Sequence, residues 1–192
     1  MKEARKKVLR QKLRDVLVGV GLSCVDETAE TPRRIIDLFL DMQEGTRIDI
    51  RKFFARPLTV KHNEMIIVKD IEFVSMCCHH LWPFLGKVHI AYIPQGKIVG
   101  LSKFLSAVRA VSRRPQVQEQ MTSELANAIM ECLKPLGCKV VVEGTHTCML
   151  VGGKYDYGFP ATTSAITVTS AVRGVFLTFD VPRMEALRLI GR

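Results

Sequence analysis

The sequence predicts an α+β domain built on an antiparallel sheet. Apolar residues recur at helical spacing in two separate regions, and β-branched runs bounded by turn residues occur in two pairs. Along the chain these follow one another as helices, strand pair, helix pair, strand pair, which is the order of an α+β fold. A chain of 192 residues can hold one well-buried domain with a small appendage. We expect a helical extension over residues 1–47 and the sheet domain over residues 48–192.

Taken in order, "MKEARKKVLRQKLRDVL" interleaves basic residues with Val8, Leu9, Leu13, Val16 and Leu17, the pattern of an amphipathic surface helix ending near Gly19. A second helix opens with Thr31 as cap and Pro32 at its first position. Ile35, Ile36, Leu38, Phe39 and Met42 form its stripe, and Gly45 ends it. "MIIVKDIEFVSM" and "KVHIAYIP" read as strands separated by a cysteine–histidine cluster and Gly86. Ser102 is placed to cap the next helical region, which Pro115 breaks in two. In its second part Val117, Met121, Leu125, Ile129 and Leu133 make a buried face that Gly137 closes. "KVVVEGTHTCMLVGG" and "ITVTSAVRGVF" read as the second strand pair, and "VPRMEALRLIGR" as a final helix.

The net charge of +9 raises nucleic-acid binding as a class, but the basic residues are scattered and read as solvated faces, so no nucleic-acid partner is expected. No apolar run approaches a bilayer span, and no signal-peptide core follows the charged N-terminus. A cytoplasmic protein without a membrane partner is the expectation. The six cysteines are irregularly spaced, which argues against a disulfide framework.

"SMCCHHLWPF" carries the chemistry. Cys77 and His80 have the spacing C-x-x-H, and zinc prefers mixed sulfur and nitrogen donors. His146 and Cys148 lie two apart in "VEGTHTCML", so on a strand they would face one side together. Three protein ligands with an open position make a catalytic zinc site and four a structural one; the spacing leaves both open. Water on such an ion ionises near neutral pH, with a pKa of about 7. Histidines outside the ligand set, His79 and His146, would suit proton transfer. Adjacent residues on an extended chain face opposite sides, so Cys78 reads as a small buried residue turned away, or else as a second thiol near the ion. His62 and His89 receive no role.

The motifs "CxHH", "GKVHIAYIP", "GLSK", "RRPQVQEQMT" and "VEGTHTCM", in that order, closely resemble the GTP cyclohydrolase I family, and the resemblance runs from "ETPRRI" to the final helix. It implies a T-fold cyclohydrolase domain, an antiparallel sheet with a helix pair on one face. It also implies a toroidal homo-oligomer, commonly a decamer, with sites at subunit interfaces. Carried over, Cys77, His80 and Cys148 look like the Zn2+ ligands, and His79 and His146 the acid–base histidines. Glu119 matches the carboxylate that anchors the guanine edge, where such a group accepts two donors bidentately, and Gln118 beside it is counted with it among the substrate-binding residues. Ser102 and Lys103 match the element near ribose and phosphates, with Ser102 counted among the catalytic set, and Arg34 is retained for substrate. The reaction implied opens the purine imidazole ring at C8, releases formate and recloses as 7,8-dihydroneopterin triphosphate, a step of pterin biosynthesis.

The match departs at several points. Cys78 replaces a glutamate, Ser106 and Gly152 replace two arginines that grip the triphosphate, and Asp37 stands where many bacterial members have lysine. The loop "GGKYDYGFPATTSA" is longer than usual and carries Tyr155, Tyr157 and Phe159. Two lost charge-assisted contacts are worth about 3–6 kcal/mol, or roughly two to four powers of ten in affinity. Arg109 and Lys154 are placed to compensate. GTP is therefore the expected substrate. The alternatives are a purine nucleoside, nucleobase or oxidised purine without the triphosphate, and a zinc-stabilised scaffold or regulatory oligomer without catalysis.

Overall fold

The computed structural model describes residues 3–22, 24–150 and 165–191. The chain divides into two compact units, Met1–Arg47 and Ile48–Arg192.

In the first unit, α1 (Glu3–Gly19) packs against α2 (Thr31–Gly45). Leu9, Leu13 and Leu17 recur once per turn on the less exposed side of α1, which is why this segment is a helix with one seam. Arg10 ties the hairpin by donating to Glu3 at 3.0 Å and to Asp37 at 3.1 Å. The bond from Arg10 holds the Asp37 carboxyl below its ordinary range. Asp37 thus serves the hairpin itself. The residue at the N-cap position of α2 is Glu30 and not Thr31, and no side chain caps that end.

In the second unit a five-stranded sheet has the order β5–β2–β3–β6–β7, with β2 Ile66–Cys77, β3 Pro83–Ile93, β5 Pro115–Gln116, β6 Gly137–His146 and β7 Thr167–Gly174. All neighbours are antiparallel except the two-residue β5, which runs parallel to β2. A separate antiparallel pair joins β1 (Leu58–Thr59) to β4 (Lys97–Ile98). Alternation explains which face is buried. Phe73, Phe84, Val88, Ile90, Tyr92, Val140 and Val142 point one way into the main core. There α3 (Ser102–Ser112) packs on β2, and α4 (Gln118–Leu133) packs on β6 and β7. Met121, Leu125, Ile129 and Leu133 of α4 are fully buried, four residues apart as read from the sequence. The short helices α6 (Val175–Thr178) and α7 (Asp180–Ile190) enclose a smaller cluster of Ala91, Phe176 and Ala186.

Several boundaries differ from the sequence expectation, each for a local reason. Gly86 lies inside β3 and does not separate two strands. A Cβ there would meet the Glu143 carbonyl oxygen at 1.7 Å, so glycine marks a close approach of β3 to β6. Ser102 is the first residue of α3, and Leu101 occupies the cap position without a capping side chain. α4 ends at Leu133, with Lys134 at its C-cap in the left-handed conformation at φ 49°, because Pro135 cannot continue the helix; Gly137 instead begins β6. The strand expected to run past Cys148 ends at His146, and Thr147–Leu150 form a helical turn, α5.

Replacing Gly86 by Ala forces backbone apart at the centre of the sheet. We expect a loss of about 1–3 kcal/mol or more, measured as a lowered urea midpoint with an unchanged m-value.

Candidate active site

Cys77 ends β2 and closes the turn into β3. Its N–H donates to the Trp82 carbonyl, and its own carbonyl accepts from Leu81 N–H, both at 2.8 Å. Leu81 takes the left-handed conformation at φ 54° to make that turn. The next residue, Cys78, donates its N–H to the Gln116 carbonyl of β5. The Cys77 side chain is therefore fixed on backbone held from two sides, and it is buried. His79 lies close, with Nδ1 3.7 Å from Cys77 Sγ, and the rings of His79 and His80 are 6.3 Å apart.

On β6, the register pairs His146 with Phe84, and the two rings stack at 4.5 Å with an interplanar angle of 4°. The α5 turn that follows brings Cys148 round, and Thr147 Oγ1 anchors it by donating to the Pro83 carbonyl at 2.5 Å. Donor atoms of Cys77, His146 and Cys148 lie within 4.8 Å of one another, the single such group among the described residues. His80 is exposed and lies outside that group. The same two cysteines that the spacing singled out converge, although the strand geometry first invoked for His146 and Cys148 is replaced by a strand end and a helical turn.

The donor set fits a soft divalent ion. Burial, and then the neighbouring Cys77 sulfur, push the Cys148 thiol above its ordinary range. A thiol that burial and a neighbouring sulfur keep protonated is one that a cation stabilises as the thiolate, and zinc takes sulfur and imidazole donors. Burial pushes the His146 imidazole below its ordinary range, and the charge of Glu119 partly pulls it back. Glu119 stands in the first turn of α4, one residue after Gln118.

The remaining candidates fall as follows. Gln118 is buried, and its amide is engaged with β6, β7 and His146. Ser102 and Lys103 are exposed at the start of α3, and the Ser106 hydroxyl turns back to the Ser102 carbonyl at 3.0 Å. Arg109 is exposed in the last turn of α3, and Arg34 is exposed on α2 of the first unit. Gly152, Lys154, Tyr155, Tyr157 and Phe159 lie outside the described residues. Cys78, read as buried, is exposed because it stands in the turn after β2 and not on the strand. Sequence reasoning missed Phe84 and Gly144. Their only signal was the strand register, which no local motif carries.

The family described as GTP cyclohydrolase I matches this chain over residues 9–191. A protein of Bacillus subtilis (strain 168) named GTP cyclohydrolase 1 is 44% identical over 194 residues, covering 100% of this chain and 99% of its own length. The protein of the same name from Geobacillus sp. (strain WCH70) is 47% identical over 162 residues, covering 84% of this chain and 83% of its own. That from Rhodopirellula baltica (strain DSM 10527 / NCIMB 13988 / SH1) is 43% identical over 181 residues, covering 94% of this chain and 76% of its own.

Thiol reactivity reports this arrangement. Cys138 is buried and its thiol is pushed up to about 12, whereas Cys78 is exposed. With iodoacetamide on native protein, peptide mass spectrometry is expected to find Cys78 alkylated at least about tenfold faster than Cys138.

Proposed function

The chain belongs to the GTP cyclohydrolase I family, and from that membership we infer that it is a hydrolase acting on the cyclic amidine C–N bonds of GTP, yielding formate and 7,8-dihydroneopterin triphosphate. The observation that carries the reading is the convergence of Cys77, His146 and Cys148.

Zn2+ is the ion this donor set suits. We assign Cys77, Cys148 and His80 as its ligands, with His80 recruited from the exposed turn that it shares with Cys77. When bound, the ion supplies a water that ionises near neutral pH. His146 is kept for proton transfer, since its Nε2 is committed to Gln118 at 2.8 Å. Hydrolysis at C8 breaks two C–N bonds, and each nitrogen released needs a proton. His79 and His146 are the imidazoles at hand, and imidazole titrates in the range where such transfer is efficient.

Glu119 is assigned to the guanine edge. A carboxylate there accepts the N1–H and the 2-amino group together. Lys103 and Ser102 open α3, where the cationic charge of Lys103 suits phosphate, and Arg34 is assigned to the same substrate. The exposed apolar side chains Val74, Leu85, Ile166 and Val168 line the sheet face away from α3 and α4. They support association of copies into a homo-oligomer, for which a toroidal decamer is proposed. No helix among the described residues is long and apolar enough to cross a membrane. A cytoplasmic location is proposed on the nature of the nucleotide substrate.

Formate release by reduced, zinc-loaded protein tests the substrate, with GTP, guanosine, guanine and 8-oxoguanine offered in parallel. GTP is expected to be turned over. Silence on GTP with ring opening of an unphosphorylated purine would instead assign the site to that purine, and the Ser106 hydroxyl, spent on Ser102, would mark the changed phosphate pocket.

Zinc content separates ligand from acid–base group. Cys148→Ala and His80→Ala are expected to lose the ion, while His146→Ala keeps it and loses about 10²–10⁴-fold in kcat. Retention of zinc by His80→Ala with loss by His146→Ala would exchange the two roles. Glu119→Gln is expected to raise KM for GTP by about 1.5–3 kcal/mol in binding, with zinc unchanged.

A further inference from the structure

Gln118 sits beside Glu119 at the start of α4, where a substrate contact would be expected of it. Its side chain is committed elsewhere. Nε2 lies 3.1 Å from the Val142 carbonyl, 3.0 Å from the Thr167 carbonyl and 3.2 Å from Thr169 Oγ1. Carbonyl oxygens only accept, so the atom facing them must be the amide NH2, and the orientation of the amide follows.

The neighbouring hydroxyls agree. Thr122 Oγ1 donates to the Gln118 main-chain carbonyl at 2.7 Å, which uses its only hydrogen. In the 2.7 Å contact between Thr122 and Thr169, the donor is therefore Thr169. Its lone pairs remain to accept from Gln118. Every member of the chain thus has one consistent direction.

The oxygen of the same amide, Oε1, is 2.8 Å from His146 Nε2. An amide oxygen cannot donate, so Nε2 must carry the proton. Phe84 stacked on the ring fixes its plane, and Gln118 fixes its rotation within that plane. Gly144 makes the room, because a Cβ there would stand 2.4 Å from Gln118 Oε1.

We propose that Gln118 is a positioning residue that holds His146 as the Nε2–H tautomer and leaves Nδ1 as its one basic atom. The catalytic consequence rests on the assignment of His146 to proton transfer; the tautomer itself does not. Side-chain partners that orient a functional histidine commonly contribute about 10–100-fold.

Two measurements on the zinc-loaded full chain test it. Two-bond ¹H–¹⁵N correlation with ¹⁵N-labelled histidine, near about pH 8 where imidazole is neutral, is expected to show a protonated Nε2 and a bare Nδ1 at His146. In Gln118→Leu the same residue is expected to exchange between tautomers. With GTP, that variant is expected to lose about 10–100-fold in kcat at a KM within about twofold. Gly144→Ala keeps the amide and displaces its oxygen, and is expected to shift kcat in the same direction; it decides the matter if Gln118→Leu does not fold.

A protonated Nδ1 in the unaltered protein would overturn the proposal. So would a raised KM at unchanged kcat in either variant, which would make Gln118 a substrate contact. If the unaltered protein fails to turn over GTP, the functional reading falls, and the spectrum still decides the tautomer.

Discussion

The close pairing of β3 with β6 is the constraint on which the site depends. Gly86 and Gly144 face each other across this ladder, and their missing side chains serve different ends. At Gly86 the backbone of β6 occupies the space a methyl group would need, so the two strands approach closely. At Gly144 it is the Gln118 amide that fills the space. One register therefore aligns Phe84 with His146 and admits a buried side chain from α4 behind it. A slip by one residue would reverse every facing side chain.

Electrostatics explains why the centre is built from these groups. The Cys148 thiol sits where burial and the neighbouring Cys77 sulfur disfavour ionisation, and the His146 ring sits where burial disfavours its cation. Such a pocket is uncomfortable for charge of either sign alone. A divalent ion bound there would offset the cost by ionising the thiols that hold it. The polar groups that remain are spent among themselves, through Thr122, Thr169, Gln118 and His146.

Much of this could be read from the residues. The order of helices and strands, the buried stripe of α4 and the pairing of Cys77 with Cys148 followed from period, turn chemistry and ligand spacing. Features that depend on contacts between distant segments could not. Gly86 read as a break because a glycine at a close approach looks like a glycine in a turn. Cys78 read as buried because the strand ends one residue before it. Gln118 read as part of the recognition surface because its neighbour Glu119 is; only the opposing carbonyls of Val142 and Thr167 show which way its amide points. Phe84, with no chemistry of its own, acquires a role only through register.

Cys77 and Cys148 stand at the ends of a long stretch of chain that includes β3, α3, α4 and all of β6. An ion held between them is a crosslink as well as a reagent, closing a loop that the unfolded chain would leave open. Global unfolding would release such an ion, so folding and occupancy would form a single linked equilibrium, and the fold would gain stability with the logarithm of the free ion concentration above its dissociation constant. On that linkage, metal supply would set not only how many molecules are active but how stable each one is.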